Sequence, residues 1–221
     1  MLAIQLHDRI LESKDWAVIL FIVCLTIIAV NKTVSSVRFN EFTRLAYSDK
    51  YTKIYKDSSN LMSGFTISMF VLQLIPYSFF ILLLLKQFKK IEQMDLIIYI
   101  QIFTFLSVFI LSKFLIEKII ATSFKIEEFN EQFNLLKINY RAYFGFILLP
   151  INVLLFYNSI NSDWFFKLLL ITLIAISIIT YLIALKLYQN ILFRKIFYFI
   201  LYLCTLEIAP YYFIYNWFTK N

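Results

Sequence analysis

Apolar residues run almost unbroken through six stretches of the chain, about 16–34, 61–85, 96–116, 142–160, 164–187 and 196–217, and polar positions gather between them. At about 1.5 Å per residue each stretch is long enough to cross about 30 Å of hydrocarbon. The runs are continuous rather than alternating, which argues against barrel strands, and backbone in lipid must satisfy its hydrogen bonds within its own helix. The pattern predicts an all-α polytopic membrane protein, a single transmembrane domain of six helices over 1–221. The first run follows HDRILESKDW, three acids against two bases, and no A-x-A cleavage site comes after it. It is therefore expected to be a retained span rather than a signal peptide.

Two connections have a pattern of their own. In the segment 39–59, Phe39, Phe42, Leu45 and Ala46, then Tyr51, Ile54 and Tyr55, fall three or four residues apart, and Ser48 or Asp49 can cap the second piece. Two short interfacial helices are expected there. Arg38, Arg44, Tyr47, Lys50, Tyr51, Lys53 and Tyr55 are their candidate contact residues, suited to lipid headgroups or an acidic partner helix. The connection after the third run repeats the design: Ile126, Phe129, Phe133, Leu136 and Tyr140 form one stripe, and Glu127, Glu128, Glu131 and Lys137 the other. Both amphipathic loops are expected on the membrane surface.

Composition narrows the chemistry. Hydrophobic residues make up 61% of the chain and its mean hydropathy is +0.76, more than a soluble domain of 221 residues buries. Two glycines, Gly64 and Gly145, are too few for a phosphate-cradling loop, and one histidine with two cysteines inside apolar runs is too few for a zinc or haem site. No cofactor, metal site or catalytic residue is predicted, and the chain is not expected to be an enzyme.

Charge sets the orientation. Fourteen of the 21 Lys and Arg residues fall in the first, third and fifth connections, which basic residues retain on the cytoplasmic side. Both termini are then expected outside, periplasmic for a bacterial inner membrane. Trp16, Trp164 and Trp217 fall at the outward ends of their runs, where indoles favour the interface. The net charge of +7 is accounted for by anionic lipid at the inner leaflet, and no nucleic-acid partner is needed.

Pro76, Pro150 and Pro210 occupy the second, fourth and sixth runs, which suggests three hairpins, each with a proline-bent return. In the last run Glu207 stands near mid-membrane by residue count, and Gln73, Asn152 and Thr104 come to a similar depth on theirs. A lone carboxylate there costs about 2.5 to 3.5 kcal/mol, so a protonated Glu207 within an intramembrane polar cluster of these four residues is expected. Such a carboxyl serves either as a structural clasp or as a proton relay.

The runs FTRLAYSDKYTKIYKDSSNL and FYFILYLCTLEIAPYYFIY resemble an uncharacterised family of multi-pass inner-membrane proteins from Bacteroidota, the domain of unknown function 4271, with YLCTLEIAP the most specific part. The resemblance implies an inner-membrane location, with no activity, substrate or cofactor, and its lineage brings protein-export and gliding machinery into view. The expected function is an interaction or assembly partner of a cell-envelope complex, in contact with another membrane protein or with copies of itself. The alternative is a small-solute or proton-coupled transporter using Glu207.

Overall fold

The computed structural model describes residues 15–45, 51, 54–55, 61–88, 91, 93–123, 125, 127–158, 163–187 and 216. Its regular elements are all helices: α1 (Asp15–Val34), α2 (Ser36–Thr43), α3 (Gly64–Gln87), α4 (Leu96–Ser123), α5 (Glu127–Tyr157) and α6 (Asp163–Leu187). Four of them, α1, α3, α4 and α5, are long and apolar enough to cross a membrane, and α6 carries a further apolar stretch over Trp164–Ile176. The expected span 196–217, with Glu207 and Pro210, lies outside the described residues apart from Asn216.

α3 is the hub of the bundle. Its most extensive neighbour is α5, and it also packs on α1 and α4. Leu72, Met69, Phe79 and Leu82 are fully buried along it. Ser63 starts this helix by accepting a hydrogen bond from the Thr66 backbone N–H at 3.3 Å, which satisfies one donor of the first turn. Pro76 stands inside α3 and Pro150 inside α5, with no break in either helix. One end of the bundle closes on rings from four helices: Trp16 and Phe21 of α1, Phe79 of α3, Tyr99 of α4 and Phe156 of α5, with centroids 5.0 to 6.2 Å apart.

The amphipathic loops differ from the surface-lying helices the sequence suggests. α2 begins at Ser36 and buries Phe39 and Phe42 against the bundle, Phe42 with its ring 5.9 Å from that of Tyr143 and Phe39 with its ring 6.3 Å from that of Phe146. The run after α4 is no separate helix but the first half of the 31-residue α5, with Phe133, Leu136 and Tyr140 buried. The same apolar stripe that suits a lipid surface suits a protein groove equally well, and here the groove takes it. α4 likewise continues past the expected end at 116 to Ser123, because Lys113 and Glu117 are accommodated inside the bundle rather than marking its edge.

Candidate functional site at the basic end of the bundle

The end opposite the aromatic cluster holds a polar assembly centred on Arg38. From α2 its guanidinium donates through Nε to the Tyr51 hydroxyl at 3.3 Å, through Nη1 to Ser63 Oγ at 2.8 Å and through Nη2 to Thr66 Oγ1 at 2.9 Å. It is also held 4.8 Å from the centroid of the Tyr55 ring and 4.7 Å from that of Phe65. The rigid donor fork of arginine suits this geometry, and its flat cation stacks on rings where an ammonium does not. Tyr51 is wholly buried and donates onward to Asn139 Oδ1 at 3.4 Å on α5. The first connection is thereby latched to α3 and α5.

Burial pushes the Tyr51 phenol above its ordinary value, and the neighbouring Arg38 charge pulls it partly back. A second polar tie joins α1 to α3, where the Ser68 hydroxyl donates to Asn31 Oδ1 at 2.7 Å.

Beside the latch, between α3, α4 and α5, lies a cavity of about 310 Å³. Thr66 belongs to both. On the far side Lys137 of α5 donates to both carboxylate oxygens of Glu117 of α4, each at 3.0 Å, with Glu117 only 2% exposed. Lys113 and Arg141 also line the space, so among the described residues three cations and one carboxylate border it. Ile67, Phe70, Ile110 and Phe114 form its apolar wall.

Deeper in the bundle, α3 and α5 run parallel and touch closely. Gly145 lies so near Gln73 that a Cβ added there would stand 2.9 Å from the Gln73 Cα. The Asn152 side chain donates to the Pro76 carbonyl at 2.7 Å. Gln73 is 2% exposed, and both its amide atoms, with Asn152 Oδ1, are buried without a hydrogen-bond partner among the described residues.

The sequence-derived candidates thus separate into groups. Gln73 and Asn152 lie buried in the α3–α5 seam, and Glu207 lies outside the described residues. Thr104 does not join them: it is exposed on α4, its hydroxyl bonded to the Ile100 carbonyl at 2.7 Å. Of the loop candidates, Arg38, Tyr51 and Tyr55 are brought together and turned inward, so they form an internal latch rather than an exposed docking face. Arg44 is exposed at the end of α2, and Tyr47, Lys50 and Lys53 lie outside the described residues. Ser63, Thr66, Asn139 and Glu117 escaped the sequence reading. The S-x-x-T spacing at the head of the second apolar run is the signal for the first two; nothing along the chain marks Asn139 as the partner of Tyr51.

Among the described residues no group of three or more His, Cys, Asp or Glu side chains is placed to hold a metal ion. Long apolar helices joined by buried polar ties define a helical membrane-embedded protein. Within that class the chain belongs to the family described as Domain of unknown function (DUF4271), whose model matches residues 17–218. No curated protein and no solved structure matches the chain.

Proposed function

We propose that the protein is an assembly partner: a six-span inner-membrane component of a cell-envelope complex, acting through contact with another membrane protein or with a second copy of itself. The outward face of α4 carries this reading. Ile97, Gln101, Thr104, Val108, Leu115 and Ile119 recur at helical spacing and are all exposed. Lipid tails offer the Gln101 amide no hydrogen bond, whereas a neighbouring helix does, and polar side chains on outward faces are a recurrent means of helix association in bilayers. Purification in a mild detergent tests it. A stoichiometric partner, or a defined oligomer, is expected for the native chain and is expected to be lost in Gln101→Leu. A monodisperse single chain with no companion would overturn the reading.

A second reading, a small-solute or proton-coupled transporter, draws on the buried amide of Gln73. Buried polar atoms are nearly always satisfied, and a protonated carboxyl from residue 207 would both donate to and accept from Gln73 and Asn152. Glu207→Gln separates a clasp from a proton carrier, since an amide preserves the former and abolishes the latter.

A further inference from the structure

We propose that α4 pairs with α4 of a second copy of this chain, side by side and in the same direction, with the Gln101 amides of the two copies bonded to each other. The inference rests on reading the outward face of α4 as an assembly surface, and it names what covers that face. Tyr99, Lys113, Glu117 and Ala121 of α4 are buried toward the bundle. Ile97, Gln101, Thr104, Val108, Leu111 and Leu115, on the opposite side of the helix, are exposed. They follow one another at alternating steps of four and three residues, the a and d spacing of a left-handed helix pair. None is glycine, so the two backbones stay at ordinary distance and their ridges mesh at about +20°, unlike the close α3–α5 contact at Gly145.

One group on this seam is out of place in lipid. The Thr104 hydroxyl already donates to the backbone carbonyls of Ile100 and Gln101, at 2.7 and 3.1 Å, but the exposed Gln101 amide has no hydrogen-bond partner among the described residues. A hydrocarbon surround leaves that amide unsatisfied. An amide carries both donors and an acceptor, so two glutamines facing each other form a reciprocal pair. Every copy crosses the membrane in the same sense, and a two-fold axis along the membrane normal therefore sets Gln101 opposite Gln101 and Thr104 opposite Thr104. A foreign helix has to bring its own polar group to that height; a second copy has one by symmetry. A polar residue at a core position of such a seam also fixes register and strand number, and a reciprocal amide pair is complete with two chains.

The test is disulfide cross-linking of the full chain in its native membranes, with single cysteines placed in a Cys24→Ser/Cys204→Ser background. Thr104→Cys and Val108→Cys are on the seam, and Phe105→Cys, 58% exposed but on the flank, is the control. On mild oxidation the seam positions are expected to give a covalent dimer and the flank position little. Adding Gln101→Leu to Val108→Cys is expected to weaken dimerisation by about tenfold, read from the yields over a range of expression levels, because two interhelical hydrogen bonds are lost. Equal yields at seam and flank, or a yield indifferent to Gln101→Leu, overturn the self-pairing. If a different protein then co-purifies with the native chain, the assembly reading stands without it; if none does and the chain is a monomer, both fall.

Discussion

Arg38 shows how much of this structure rests on one side chain. Its hydrogen bonds to Tyr51, Ser63 and Thr66 and its contacts with the Tyr55 and Phe65 rings join α2 to the start of α3 and, through Tyr51, to Asn139 of α5. Arg38→Lys keeps the charge but loses the fork, so it is expected to destabilise by about 2 kcal/mol, nearly as much as Arg38→Met, in thermal unfolding in detergent. A lysine variant as stable as the native chain would show that the charge alone suffices. Tyr51 gives a pH signature. Its phenol is held above the ordinary value of about 10, so the folded state favours the neutral form. That contribution is whole below about pH 10 and is lost as pH rises through the higher folded value. Tyr51→Phe, without the bonds to Arg38 and Asn139, is expected to be less stable at pH 7 yet to lose stability less steeply as pH rises above about 10. Parallel slopes in the two proteins would mean that another group drives alkaline unfolding.

Between elements, the α3–α5 seam depends on a missing side chain. A Cβ at position 145 would meet Gln73 backbone, which has no flexible end to swing away, so the helices must part. Gly145→Ala is expected to cost about 1 to 3 kcal/mol despite alanine's better helix propensity, and Gly145→Leu more; unfolding midpoints of the purified variants check this. If Gly145→Ala were neutral or stabilising, the close approach would not matter. Helix existence was legible because apolar length alone demands it: the start of α4 at Leu96, the end of α1 at Val34 and the end of α6 at Leu187 stand where the apolar runs place them. The azimuth of each residue was not. Residue counting gives height along a helix, and Thr104 has a height like that of Gln73 but faces outward, since a helix apolar all round shows no preferred side. The amphipathic loops were legible as helical stripes, but a stripe does not say whether lipid or protein covers it. The end of α4 was not legible either: the apolar run stops at 116, yet the helix goes on to Ser123, with Lys113 and Glu117 buried and Glu117 paired to Lys137 of α5.

At the scale of the whole molecule, basic side chains collect at one end. Lys32, Arg38 and Arg44 lie at or beyond the last turn of α1, and Lys113, Lys118, Lys137 and Arg141 lie where α4 and α5 meet, at the same end as Ser63. The orientation expected from the charge bias puts this end in the cytoplasm. Asp95 and Arg44, both exposed and at opposite ends of the bundle, report the orientation when each is replaced by cysteine in a Cys24→Ser/Cys204→Ser background. A membrane-impermeant maleimide is expected to label Asp95→Cys from outside intact cells, and Arg44→Cys only after the membrane is opened. The opposite pattern would invert the topology. The expected pattern turns this basic end toward the leaflet whose negative surface potential concentrates basic protein surfaces, each Lys or Arg near it contributing about 1 kcal/mol. The orientation is then set by one cluster of cations, and labelling at two positions tests it directly.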